Sequence, residues 1–515
     1  MRRSLGWFDL FCFGIGSMIG AGIFVLVGLA TEITGPGISI SYAIGAFTCI
    51  LSGLCYAEFA SAVPLCGSAY TYTYITMGEF PAFLIGWALI GEYIFSAAAV
   101  ARGCSSYIQY FVQSLGGTFP PSLVYKWGFL DLDVVAGLLV ILITFYLFFG
   151  IRIASTINSI FALLSLGIIL FLIVFGSTEV DVDNWADFVP NGVESVFKGA
   201  GFVFFSYVGF DMIASYSEEV IDPQKDLPIA ILSSIVLVAL LYISVALVLT
   251  GMVPYWTIMK TQAPIAEAFK SVRWAAIIIS VGATCSLVTS TQNSLSCCNR
   301  MLLAMSRDGL LPSVLGSFHP RTSEPWVANF VTGTSITLIS LLFDLPVLSH
   351  AVSAWTLCAF TFVNAAIIIL REKVPEKPHN KNLSKYLIFY ILSISVFSLT
   401  GPRSGMLWLN IVLFGLCGIP FVLIFMHFYL YLPYPIIVNT KHFFSPLVPL
   451  VPLLGIFFNI YLLFSLPDKT WLPFGVWSLV GMVFYGLYGY WNSTEKRQEV
   501  LGETSPLLRD EPYDA

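Results

Sequence analysis

The sequence predicts an all-α protein that crosses a membrane many times, with its first and sixth spans broken in the middle. Three observations lead there. Of the 515 residues, 57% are hydrophobic and only 10% charged, with a mean hydropathy of +0.85, a balance far from that of a solvated globular protein. Apolar runs of about twenty residues, enough to cross a bilayer at about 1.5 Å per residue, recur between charges, Pro and Gly. Two of these runs carry clustered glycines where a spanning helix should be continuous.

The first span is expected near 7–30. Met1-Arg-Arg ahead of it imitates a signal peptide, yet no small-residue cleavage site follows and further apolar runs begin at once, so it is read as a span. At its centre stands Gly14-Ile-Gly-Ser-Met-Ile-Gly-Ala-Gly22. Lipid cannot satisfy freed backbone N–H and C=O groups, so an unwound middle requires surrounding protein or a water-filled cavity. Close helix packing on small residues is the competing account of the same glycines.

Further spans are expected near 38–63, 80–112, 131–149, 153–176, 196–216, 228–252, 274–305, 326–343, 347–370, 385–400, 405–431, 446–466 and 471–491, fourteen in all, which puts both ends on one side. Arg2, Arg3, Arg300, Arg307, Arg371 and Lys373 fall on the side of the ends, as do most other cations. The loop after the fifth span instead carries Glu179, Asp181, Asp183, Asp187 and Glu194. This asymmetry predicts cytosolic termini.

Gly199-Ala-Gly-Phe-Val-Phe-Phe-Ser-Tyr-Val-Gly-Phe-Asp211 breaks the sixth span. The broken spans correspond if spans one to five and six to ten are repeats, and five being odd, the second repeat enters the membrane inverted. Discontinuous helices at matching places of inverted repeats point to a transporter's substrate site. A break leaves free N–H groups at the start of one half-helix and free carbonyls at the end of the other. An α-amino acid matches that pattern. Its carboxylate is expected on the N–H groups of Gly20, Ala21 and Gly22. Its ammonium is expected at carbonyls of Ile15, Gly16 and Ser17 and, across the cavity, of Phe204, Phe205, Ser206 and Tyr207. Phe205 and Tyr207 serve either as an aromatic gate or as plain core.

Charges inside the membrane are expensive and draw attention. Glu58 lies at one end of span two, where it snorkels or pairs. Glu92, in Trp87-Ala-Leu-Ile-Gly-Glu-Tyr93, lies deep in span three and either carries a proton or faces a cationic side chain. Arg102 is ten residues farther on, about 15 Å along a helix and out of reach of Glu92. Asp211, just past the second break, reads as a helix cap.

These blocks resemble the cationic amino acid transporters of the amino acid, polyamine and organocation superfamily. The resemblance rests on Gly14–Gly28, Gly35-Pro-Gly37, Cys55-Tyr-Ala-Glu-Phe59, Gly67-Ser-Ala-Tyr70, Ala98-Ala-Val-Ala-Arg102, Gly209-Phe-Asp211, Glu218-Glu-Val-Ile-Asp-Pro-Gln-Lys-Asp-Leu-Pro228 and Arg307-Asp-Gly-Leu-Leu-Pro312, spread over roughly residues 5–330. It implies a leucine-transporter-like fold of five plus five inverted spans, alternating access, and substrates such as arginine, lysine or ornithine; fourteen spans suit the eukaryotic branch. Residues 1–370 then form the transport core, 371–491 four additional spans and 492–515 a cytosolic tail. Glu92 matches a glutamate of bacterial and plant-like relatives and is the candidate for proton coupling or side-chain selectivity. Where several relatives carry a lysine in span five, this chain has Ser159. A sodium site on span-one carbonyls with Thr289 or Ser290 competes with those hydroxyls bonding back to their own helix.

The tail contains Glu503-Thr-Ser-Pro-Leu507-Leu508, which resembles an acidic dileucine signal for lysosomes or vacuoles read by sorting adaptors, with the plasma membrane as the alternative. The ten cysteines lie in or beside apolar runs without zinc-ligand spacing. No basic patch points to nucleic acid. No nucleophile with a base, phosphate loop or metal cluster is visible, so neither enzyme activity nor a cofactor is expected. An amino acid sensor or receptor of the same fold, and a transporter of neutral amino acids or polyamines, are the competing functions.

Overall fold

The computed structural model describes residues 3–120, 123–127, 130–148, 151–259, 261, 263–319, 325–372, 382–404, 407–431 and 442–494. The tail from 495 onward, with Glu503, Leu507 and Leu508, lies outside the described residues. Helices are α1 (Trp7–Met18), α2 (Ala21–Phe24), α3 (Leu26–Thr34), α4 (Ile38–Ala62), α5 (Ala69–Met77), α6 (Glu79–Ser114), α7 (Val134–Leu147), α8 (Ile151–Ser177), α9 (Val193–Val203), α10 (Phe210–Ala214), α11 (Pro223–Met252), α12 (Tyr255–Ile258), α13 (Pro264–Ala268), α14 (Arg273–Arg307), α15 (Trp326–Leu342), α16 (Leu345–Glu372), α17 (Asn382–Ser404), α18 (Leu407–Tyr431), α19 (Leu450–Phe464) and α20 (Trp471–Phe484). Eleven continuous or broken helices among the described residues are long and apolar enough to cross a membrane. Three shorter apolar helices, α7, α15 and α19, stand where the fourth, ninth and thirteenth runs were read. The protein is an all-α polytopic membrane protein with discontinuous helices.

Helix α7 begins later than the sequence reading placed it. Leu130-Asp-Leu-Asp133 alternates apolar and polar residues with a period of two, which suits a strand. It pairs antiparallel with Val124–Trp127, Trp127 opposite Leu130. Asp133 then caps α7, accepting the Ala136 N–H at 3.0 Å and the Ser105 hydroxyl at 2.9 Å.

The interior is built on α1, α4, α6, α11, α14 and α16, which pack together, while α17, α18 and α20 turn most of their apolar side chains outward. Where the surroundings are as apolar as the side chains, helices hold together through close packing and interhelical hydrogen bonds. Ser52 of α4 shows this: its hydroxyl accepts from Asn364 of α16 at 3.1 Å and from Asn459 of α19 at 3.2 Å. Glu58 is paired, as its position allowed. Arg371 at the end of α16 binds it twice, at 2.7 and 2.9 Å, and the Ser445 N–H adds a third bond at 2.9 Å. Arg102 instead donates to the Ser340 and Leu341 carbonyls at 2.7 and 3.1 Å, capping the C-terminal end of α15.

Candidate functional site

The first break is local chemistry made visible. Helix α1 closes with the Ile19 N–H on the Ile15 carbonyl at 2.8 Å, Ile19 and Gly20 run extended, and the chain re-enters a helical turn at Ala21. The N–H groups of Ala21, Gly22 and Ile23 open that turn and have no residue four back within it to bond. Four carbonyls around the break are met by a donor from another helix. Ser17 O accepts from Ser290 at 3.0 Å, Met18 O from Tyr242 at 2.6 Å, Ile19 O from Ser286 at 2.5 Å and Gly22 O from Tyr42 at 2.9 Å. Tyr107 does the same for Phe24 O at 2.6 Å.

The second break has its own geometry. Helix α9 tightens into a 3₁₀ turn over Phe204–Tyr207, Val208 runs extended, and Gly209 has a φ of +138°, a conformation that a side chain disfavours. Asp211 then caps α10, its Oδ1 accepting the Gly209 N–H at 3.1 Å, as its position suggested. Its Oδ2 accepts the Tyr93 hydroxyl at 3.0 Å.

The two breaks touch. A methyl group at Gly22 would run into the Cα and Cβ of Ser206, and one at Gly209 would lie 2.7 Å from Ser17 Cβ and 2.9 Å from Met18 N. Ile15, Ser17, Ala21, Phe204, Phe205, Ser206 and Tyr207 are all buried there. The span-one glycines thus both interrupt the helix and allow the close approach that brings the broken segments together. The Ser206 hydroxyl is buried beside that of Tyr42. Tyr207 is held by its bond to the Tyr42 carbonyl at 2.8 Å and packs against Gly45.

Glu92 is fully buried and makes no ion pair among the described residues; the Thr356 hydroxyl of α16 lies beside it but donates to the Val352 carbonyl at 2.9 Å. The cationic side chain that it was offered as facing is not among its described contacts. On α8 the side chains that meet Gly16 are Asn158 and Ala162, not Ser159. Asn293 of α14 ties this corner together, donating to Asn158 at 2.9 Å and to the Ser17 hydroxyl at 3.0 Å. Thr289 bonds back to Ser286 O at 2.8 Å, as hydroxyls on helices do, whereas Ser290 crosses to span one. Among the described residues no cluster of three His, Cys, Asp or Glu side chains fits a metal ion.

The face that carries both ends of the described chain is shut by ion pairs. Arg300 binds Glu219 at 2.9 Å and lies 3.8 Å over the Tyr216 ring, which in turn meets Phe13 of α1. Leu5 pairs with Val220, Arg307 binds Glu218 at 3.2 Å, and Tyr70 donates to Asp308 at 2.5 Å. Arg300 and Tyr216 also line a cleft at this face together with Asp9, Asn158, Asn293 and Asn299.

Tyr42, Tyr107, Tyr242, Ser286 and Asn293 escaped the sequence reading. Each is one polar group in an apolar run and carries no local motif.

Comparison with known proteins agrees with this architecture. The amino acid permease family pattern matches residues 5–487. The chain is 34% identical to the branched-chain amino acid permease of Bacillus subtilis over 95% of its own length and 93% of the relative's. It is 35% identical to the methylthioribose transporter of the same organism, over 95% and 94%. It is also 35% identical to cationic amino acid transporter 9, chloroplastic, of Arabidopsis thaliana, over 95% and 88%. A chain with two broken helices in contact and matched nearly end to end by transporters is itself a transporter and not an enzyme: it belongs to the amino acid permease family, within the amino acid, polyamine and organocation superfamily.

Proposed function

We propose that the chain carries α-amino acids, cationic ones foremost, by alternating access around the paired breaks. The contact of Gly22 with Ser206 carries this reading, because it sets one half-helix start with free N–H groups against the carbonyl end of another. The substrate carboxylate sits on Gly20, Ala21 and Gly22, and the ammonium faces the Phe204–Tyr207 carbonyls and those of Ile15, Gly16 and Ser17. Because the Ser17 carbonyl already accepts from Ser290 and the Ile15 carbonyl from the Ile19 N–H, the span-six carbonyls supply the greater part of the ammonium's contacts.

Residues 1–370 act as a five-plus-five inverted repeat, 371–491 as four appended spans, and both termini face the cytosol. Glu92 sets proton coupling or side-chain choice. The 492–515 tail directs the protein to lysosomes or vacuoles through Glu503, Leu507 and Leu508; Leu507→Ala with Leu508→Ala moves a tagged protein to the plasma membrane, and an unmoved protein removes this assignment.

Uptake into proteoliposomes decides the function. Arginine uptake that unlabelled lysine suppresses and leucine does not is the expected result. The relative named for branched-chain substrates favours a second reading, neutral amino acids, which leucine uptake would establish. Amino acid binding without uptake or counterflow under any gradient would indicate a sensor instead.

A further inference from the structure

One side chain from a third helix joins the two breaks. Tyr242 of α11 is fully buried, with its hydroxyl 2.6 Å from the Met18 carbonyl of the first break and 3.1 Å from the Ser206 carbonyl of the second. Its ring is held between Tyr42 and Tyr207, with centroids 5.4 and 5.3 Å away. Packing therefore fixes the hydroxyl between the two carbonyls.

A phenol has a single proton to give. Tyr242 thus serves two acceptors with one donor. Polar capacity at this point exceeds what the protein supplies. An α-ammonium brings three donors on one nitrogen, enough to serve the second carbonyl as well.

Resting on the reading that the substrate ammonium is received at the span-six carbonyls, we infer that Tyr242 stands in for that ammonium during the substrate-free half of the transport cycle. Without substrate, its hydroxyl bridges the half-sites and holds them in register as the carrier returns. When substrate arrives, the ammonium takes the Ser206 carbonyl and the Tyr242 proton settles on Met18. The loaded carrier is then bridged by its cargo. Tyr242 is a positioning residue for the return step, and its loss slows net transport more than exchange, because exchange never uses the substrate-free return.

The test compares net uptake with counterflow exchange of labelled arginine and leucine in proteoliposomes holding the full-length protein. Tyr242→Phe keeps the ring and removes the proton; net uptake falls about fivefold, the weight of one net hydrogen bond, while exchange stays within about twofold. An unchanged ratio of net uptake to exchange overturns the inference. Tyr107→Phe removes a hydroxyl that bonds the first break, at Phe24, and not the second, and leaves the ratio as in the unsubstituted protein. A selective loss of net uptake in Tyr107→Phe overturns the assignment to Tyr242. If Tyr242→Phe does not accumulate in the membrane, Tyr242→Met, which fills similar space without a donor, carries the same expectation. Failure of the unsubstituted protein to exchange any amino acid overturns the transport reading itself, a result separate from an unchanged ratio in an active Tyr242→Phe.

Discussion

Trp87 of α6 and Trp477 of α20 bond one another reciprocally, each indole N–H donating to the other's backbone carbonyl at 2.9 and 2.8 Å, with the rings stacked 5.1 Å apart. Each lies four residues before a glycine, and the partner indole fills the space over it: Trp477 over Gly91, Trp87 over Gly481. Helix α20 is exposed over most of its surface, so this pair, with the Tyr485 and Ser493 hydroxyls on Glu79, fastens it to the core.

Trp477→Phe keeps the stacking and removes a hydrogen bond, costing about 1 kcal/mol. Because the two bonds share one geometry, Trp87→Phe with Trp477→Phe costs less than the sum of the single changes. Thermal unfolding in detergent measures this, and strict additivity would show that the two bonds form independently.

Glu58 and Arg371 pin the end of α16 to α4 and to Ser445. Glu58 is almost fully buried, so Glu58→Gln leaves the guanidinium without its counter-charge and costs about 3 kcal/mol. Glu58→Leu combined with Arg371→Met restores much of the loss, since no charge is then left unpaired. A double variant no more stable than Glu58→Gln would mean that the Ser445 bond, and not the ion pair, does the fastening.

On the same face, Glu218 pairs with Arg307 outside the spans. Burial alone would raise its carboxyl, but the Cys66 groups and the Arg307 guanidinium outweigh burial and hold it below the usual carboxylate range. A lowered folded value means that the stabilisation is complete above the unfolded value, about 4.3, and is lost as pH falls through the folded one. Glu218→Gln therefore costs about 0.5 kcal/mol near pH 7, the scale of a half-exposed pair, and progressively less as pH drops below 4. A melting-temperature difference that stays constant over that range would exclude the ionised pair as its source.

The breaks were legible because glycine clusters and a carboxylate contradict a spanning helix within a few adjacent residues. Span limits were legible because hydropathy changes sharply at charged turns, except at Leu130–Asp133, where alternation marks a strand. The partners of the broken segments were not. Tyr242 and Tyr42 look like core aromatics in an apolar helix, and only the fold brings their hydroxyls to Met18 and Gly22. Ser52, Asn364 and Asn459 are similar: three unremarkable polar residues far apart in sequence that become one hydrogen-bonded joint.

Glu92 offers the sharpest division between coupling and structure. It sits on α6 next to Tyr93, the residue that bonds Asp211 beside the second break, yet its own oxygens have no well-formed hydrogen bond among the described residues, the Thr356 hydroxyl beside it being turned to the Val352 carbonyl. A structural carboxylate at full burial would be expected to have a fixed hydrogen-bond partner, because an unmatched one is costly. Glu92→Gln keeps the shape and cannot exchange a proton. If Glu92 couples transport to protons, the variant loses proton-driven accumulation at least tenfold but retains counterflow exchange, a change of about 1.4 kcal/mol or more in driving force. If it instead selects the substrate side chain, the variant keeps its pH profile and shifts the ratio of arginine to leucine uptake. Measuring both quantities at two pH values separates the roles, and a variant unchanged in pH profile and in substrate ratio removes Glu92 from the mechanism.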